Sequence, residues 1–90
     1  MKGLSHSMTV TDSTSRAAGN VEVRKELIAA INSRIAAHGW TQAEAAQRIG
    51  VSQPRISHLA RGQHDRFSVD ALLKLAAAAG LTVEISVNNT

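Results

Sequence analysis

The chain has 90 residues, which suits one small domain with a tail, because single cores usually occupy roughly 100 to 150 residues. It contains no cysteine, which excludes disulfide scaffolds, thiol catalysis and cysteine-bound zinc. Ten Lys and Arg against seven Asp and Glu give a net charge of +3, and this basicity favours a polyanionic partner.

Apolar residues make up 43% of the chain but aromatic residues only 2%, which predicts closely packed helices around an aliphatic core. No apolar run approaches the ~20 residues that span a bilayer, and the N-terminus lacks the apolar segment of a secretory signal. We therefore expect a cytoplasmic protein with no membrane partner.

Residues 1–20 are rich in Ser, Thr and Gly, and their few apolar side chains follow no sustained period. They are predicted to form a flexible N-terminal tail. Residues 21–38 follow with Leu27, Ile28, Ile31 and Ile35 at spacings of three and four, the pattern of an amphipathic helix. Gly39 is placed to end this helix.

Two short helices are predicted next. Thr41 and Glu44 have the spacing of a capping box, which starts the first of them, and Gly50 ends it. Ser52 can cap the second, with Pro54 in its first turn, and this helix runs to about Arg61. Ile56, Leu59 and Ala60 should face inward.

A fourth helix is predicted from Ser68 to Gly80, followed by alternating apolar and polar residues from Leu81 to Val87 that indicate a half-buried strand. A lone strand cannot satisfy its backbone, so it needs a partner. The preferred partner is the same strand of a second copy, with Leu81, Val83, Ile85 and Val87 as dimerisation residues. A partner protein, or a weak strand around Thr9 to Thr11, is the alternative.

The segment TQAEAAQRIGVSQPRISHLARG resembles the helix-turn-helix of the phage-repressor and Cro-like (XRE) family, and FSVDALLKLAAAAGLTVEISV is similar to the end of HigA-type antitoxins. The resemblance implies an all-α bundle of four to five helices with one C-terminal strand paired across a homodimer. Residues 21–80 would form the DNA-binding domain and 81–90 the dimerisation strand and chain end. It also implies an autorepressor that binds a palindromic operator in double-stranded DNA and a RelE-like toxin.

The resemblance places one set of side chains against DNA. Ser52, Gln53, Pro54, Ser57 and His58 would face the major groove, and Gln42 would contact a phosphate. Gln53 is the expected base reader, because its amide can donate to and accept from adenine at once. Arg55 and Arg61, on the exposed side, are expected to contact phosphates.

Other classes of function fit less well. No organised catalytic group, metal-ligand cluster or phosphate-binding glycine motif is present in the sequence, so neither an enzyme nor a cofactor is expected. A free-standing XRE-type repressor without a toxin remains an alternative. So does a protein-interaction module that has lost DNA binding.

Overall fold

The computed structural model describes residues 6–12 and 16–87, with side chains over residues 21–83. The elements in chain order are strand β1 (His6–Asp12), helices α1 (Arg16–His38), α2 (Gln42–Ile49) and α3 (Gln53–Ala60), a 3-10 turn (His64–Arg66), helix α4 (Val69–Ala78) and strand β2 (Leu81–Val87). The predicted fold class, a helical helix-turn-helix bundle ending in a strand, is confirmed. None of the helices within residues 16–78 is both long and apolar enough to cross a membrane.

Among residues 21–83, whose side chains are described, one hydrophobic core joins the four helices. Its largest fully buried side chains come from α1, α3 and α4, and they are Leu27, Ile31, Ile56, Leu59 and Leu72. Small side chains line the crossing of α2, where Ala45 and Ala46 are buried and let the neighbouring helices approach closely. The aliphatic, alanine-rich packing predicted from composition is therefore the packing observed.

Local signals set the ends of α2 and α3. Thr41 Oγ1 accepts from the Glu44 backbone amide at 3.1 Å, and Glu44 Oε1 accepts from the Thr41 amide at 2.9 Å, which completes the predicted capping box. Gly50 ends α2 with a φ of 89°, a left-handed conformation that glycine adopts without steric cost. Ser52 Oγ then caps α3 by accepting from the Arg55 amide at 3.3 Å.

The strand β2 pairs with β1 of the same chain in a two-stranded parallel sheet. Its register places Val10 opposite Ile85 and Thr9 opposite Glu84. The sequence favoured pairing of β2 with the same strand of a second copy. For this edge of β2 that prediction is wrong, and the observed partner is the alternative, the segment around Thr9 to Thr11 of the same chain. The physical reason is that β1 provides an extended strand within the same chain, so its pairing with β2 satisfies backbone hydrogen bonds without the entropy cost of bringing two molecules together.

The N-terminal segment also differs from expectation. Within residues 1–20, predicted as a flexible tail, residues 6–12 form β1 and α1 already begins at Arg16; residues 1–5 and 13–15 lie outside the described part. Of the four predicted dimerisation residues, Leu81 is buried and Val83 is half-buried against the core. The side chains of Ile85 and Val87 lie outside the described residues.

Candidate nucleic-acid interface

Six of the eight predicted DNA-contacting residues line one open groove between the start of α2 and the outer face of α3. They are Gln42, Gln53, Pro54, Ser57, His58 and Arg61. No carboxylate is among these lining residues, so the groove presents amide, hydroxyl, imidazole and guanidinium groups. The groove therefore offers hydrogen-bonding groups and positive charge to a polyanion.

Packing on the opposite side of α3 aims this face outward. Ile56 and Leu59 are buried, and the side chains of the groove lie on the other side of the same short helix. The Asn32 side chain on α1 donates from Nδ2 to the Leu59 carbonyl at 2.9 Å. This hydrogen bond ties the last turn of α3 to α1 and fixes the direction of the helix.

The N-terminal ends of α2 and α3 both lie at the groove. Gln42 and Gln53 are the first residues of their helices, and both side chains are exposed. A helix N-terminus carries partial positive charge, so each end attracts an anion such as a phosphate. Helix α3, with eight residues, is about 12 Å long, which is short enough to lie in a major groove about 12 Å wide.

Two of the predicted residues lie outside the lining of the groove. The Ser52 hydroxyl serves as the cap of α3. The Arg55 guanidinium stacks on the Phe67 ring, with Cζ 4.2 Å from the ring centroid, and Nη1 donates to the Arg66 carbonyl at 3.1 Å. Direct contact of Ser52 and Arg55 with DNA stays a prediction, and both have a role within the fold.

His58 lies in a positive environment. Partial burial lowers its pKa below the ordinary value, and the charges of Arg66, Arg61 and Arg55 lower it further. Each of these effects disfavours the imidazolium form. The lowered pKa therefore favours the neutral imidazole of His58 in the free protein, which can donate from one nitrogen and accept at the other.

The family model of a helix-turn-helix domain, HTH_37, matches residues 9–88 of the chain. The chain belongs to this helix-turn-helix family. A solved structure described as an XRE family transcriptional regulator is 32% identical, with a TM-score of 0.77, and the match covers 83% of this chain and 84% of that one. Among curated proteins, none matches.

These matches place the helix-turn-helix protein in the XRE family of transcriptional regulators, among DNA-binding proteins and not among enzymes. Within the described residues, no group of three or more His, Asp or Glu side chains could hold a metal ion. The matched segment includes β1 from residue 9 onward as well as α4 and β2.

Sequence reasoning missed Arg66 and Phe67 in this helix-turn-helix protein. Arg66 is exposed on the 3-10 turn, and its charge acts on His58 more strongly than that of Arg61 or Arg55. The only signal in the sequence was the excess of arginine from Ser52 to Arg66. Spacing could not show that Arg55 and Phe67, twelve positions apart, meet face to face.

Lowering the pH is expected to tighten duplex binding by the helix-turn-helix protein. The pKa of His58 is lowered in the free protein, whereas nearby phosphates favour the imidazolium and raise the pKa in the complex. Binding therefore takes up a proton. The affinity should rise as the pH falls through the pKa of the complex and level off below the pKa of the free protein.

Fluorescence anisotropy with a labelled duplex between about pH 8 and pH 5.5 checks this dependence around the range where histidine titrates. His58→Gln should remove most of the change. His38→Gln is the matched control, because His38 stacks on Trp40 and is not among the lining residues of the groove. Equal pH profiles for the wild type and His58→Gln would contradict the assignment.

Proposed function

We propose that this protein is a sequence-specific repressor that binds an inverted repeat in double-stranded DNA as a homodimer, and that it is the antitoxin and autorepressor of a toxin–antitoxin module in the cytoplasm. The observation that carries the DNA-binding part is the groove formed by α2 and α3, in which six predicted contact residues meet without a carboxylate. The alternative is a free-standing repressor of the XRE type.

In the proposed complex the start of α3 enters the major groove. Gln53 reads a base through its amide, Ser57 and His58 extend the hydrogen-bonding surface along α3, and Pro54 offers an apolar contact to a thymine methyl. Gln42, at the start of α2, donates to a backbone phosphate, and Arg61 neutralises another. These roles follow from the side-chain chemistry and from the shared groove.

The protein-interaction alternative has less support from the groove. Interfaces between proteins usually centre on aromatic or large aliphatic anchors, and none of the six lining residues is of that kind. The exposed surface near Trp40 is a separate feature, since this half-buried ring packs between His38 and Arg48. Polar readout of a duplex is therefore the function that the groove supports best.

Selection of bound duplexes from a random pool tests sequence-specific binding and symmetry together. The expected result is an inverted repeat whose half-sites are about one helical turn apart, because two α3 helices related by a two-fold axis face successive major grooves. Recovery of sequences without a shared motif would contradict sequence-specific reading. Recovery of a single half-site without a repeat would contradict the homodimer.

The homodimer is supported by the sheet. A two-stranded sheet is marginally stable in water, and the outer edges of β1 and β2 have no strand partner within residues 6–12 and 16–87. Pairing of one such edge with its copy across a two-fold axis would give a four-stranded sheet. Sedimentation equilibrium should give about twice the chain mass of 9.5 kDa, whereas a monomer at DNA-binding concentrations would contradict the proposal.

The antitoxin role rests on the resemblance of residues 67–87 to the end of HigA-type antitoxins, a segment that holds α4 and β2. It predicts that a neighbouring gene encodes a small basic protein that arrests growth when expressed alone and no longer does so when this chain is co-expressed. If no neighbouring gene product arrests growth, the antitoxin role is contradicted and the free-standing repressor remains.

A further inference from the structure

Arg55 makes contacts that join α3 to the segment after it. Its half-buried guanidinium stacks on the Phe67 ring at 4.2 Å and donates from Nη1 to the Arg66 carbonyl at 3.1 Å. The Phe67 side chain is only 4% exposed, so the ring is fixed in the core. These two contacts hold the guanidinium between a rigid aromatic face and a backbone carbonyl.

The 3-10 turn that Arg55 touches is compact. The Arg66 amide donates to the Gln63 carbonyl at 3.1 Å, and the Phe67 amide donates to the His64 carbonyl at 3.2 Å. The Arg66 carbonyl is the acceptor that Arg55 satisfies. Arg66 is therefore held between a buried ring on one side and a hydrogen bond from α3 on the other.

The Arg66 side chain is exposed, and among the described side chains no carboxylate forms a salt bridge with it. Its charge reaches the groove, because it contributes to lowering the pKa of His58 more than any other arginine does. Arg66 is thus an exposed guanidinium on the turn that follows α3, and guanidinium groups beside a DNA-reading helix commonly contact the phosphates that position a protein on the duplex.

We propose that Arg55 is a positioning residue for Arg66: its stack on Phe67 and its hydrogen bond to the Arg66 carbonyl fix the turn so that the Arg66 guanidinium contacts a phosphodiester of the bound duplex. This inference rests on the proposed DNA-binding function and adds two roles to it. Arg66 supplies the contact, since a guanidinium matches phosphate oxygens with two parallel donors. In this proposal Arg55 acts through Arg66, which replaces the expectation from the sequence that Arg55 itself contacts a phosphate.

A double-mutant cycle on a mixed-sequence duplex of about 30 base pairs, long enough for two half-sites, tests the proposal. Arg66→Ala should weaken binding about tenfold, as expected for loss of a charged hydrogen bond. The slope of the logarithm of the binding constant against the logarithm of the salt concentration should also become shallower, by the equivalent of about one phosphate contact per chain. Arg55→Lys keeps the charge but loses the planar stack, so it should cause a similar loss and a similar flattening. The double variant should bind no more weakly than Arg66→Ala.

Three results would overturn the proposal. Additive losses in the double variant would mean that Arg55 acts independently of Arg66. Wild-type affinity for Arg55→Lys would mean that only the charge at this position matters. Wild-type affinity for Arg66→Ala would remove the contact itself.

Controls separate this proposal from the fold and from the proposed function. Arg48→Lys, on α2 with its guanidinium over Trp40, should bind like the wild type. Circular dichroism checks that each variant folds; if Arg55→Lys does not, Phe67→Leu, which removes the ring but keeps an apolar side chain, replaces it in the cycle. If the wild-type protein does not bind the duplex, both the DNA-binding function and this inference are overturned. If the wild type binds but the losses in the double-mutant cycle are additive, only this inference is overturned.

Discussion

Replacing Gln53 with alanine is expected to weaken binding to the selected inverted repeat by about tenfold or more per half-site and to abolish preference at one base pair in each. Gln53 is exposed, is the first residue of α3 and lines the groove. Its amide can make two hydrogen bonds to one base edge, and such a pair discriminates by about 1 to 3 kcal/mol. Competition with duplexes altered at single positions measures the effect.

Gln47→Ala is the matched control for this substitution. Gln47 is an exposed glutamine on α2 but does not line the groove, so its loss should leave affinity and sequence preference unchanged. Binding to unrelated duplexes should stay the same in Gln53→Ala, because phosphate contacts carry no sequence information. A uniform loss on every sequence would show that Gln53 does not read a base.

Reversing the charge of Arg61 is expected to weaken binding to all duplexes by about 100-fold or more at about 0.1 M salt. Arg61→Glu removes a phosphate contact and adds a repelled carboxylate at the rim of the groove, and a two-fold complex carries both changes twice. Because Arg61 is exposed, the fold should be retained. Titrations at several salt concentrations should also show a shallower slope of the logarithm of the binding constant against the logarithm of the salt concentration. The slope should change by about one or more for each chain.

Arg48→Glu changes the net charge by the same amount and controls for the overall field of the protein. Arg48 is exposed and its guanidinium lies over Trp40, apart from the lining of the groove. Arg48 is not among the residues that line the groove, so this variant should lose much less affinity than Arg61→Glu when both are measured at about 0.1 M salt, where longer-range charge effects are reduced. Equal losses for Arg48→Glu and Arg61→Glu would contradict a specific contact by Arg61.

The helix-turn-helix could be predicted because its signals are local in the sequence. The capping box of Thr41 and Glu44, the stop at Gly50 and the cap at Ser52 each act within four residues, and short-range hydrogen bonds and φ preferences decide them. Once these boundaries are fixed, burial of Ile56 and Leu59 leaves only one face of α3 for solvent. That is why six predicted contact residues share a groove.

The pairing partner of β2 could not be decided from the sequence, because strand pairing is not local in the chain. The alternation from Leu81 to Val87 shows a strand, but a period of two gives no information on which segment pairs with it. β1 lies about seventy residues earlier in the chain, in a stretch whose Ser and Thr content is also typical of a tail. The pairing of β1 with β2 is seen only in the folded chain.

The role of Arg55 was also beyond the sequence. An exposed arginine on a DNA-facing helix is usually taken for a phosphate contact, and nothing in the spacing of residues 55–67 shows a stack across a turn. The geometry at Phe67 and the Arg66 carbonyl gives this side chain a place within the fold. Trp40, by contrast, precedes the cap of α2 and packs partly buried against the core.

Backbone amide chemical shifts of isotope-labelled protein, followed during titration with the selected duplex, test most directly whether the start of α3 reads DNA. The account predicts that the largest changes occur at Gln42, at residues 52–58 and at Arg61, with small changes at Trp40 and Arg48. Large changes confined to the surface around Trp40 or to the sheet, with the residues of the groove unaffected, would contradict it.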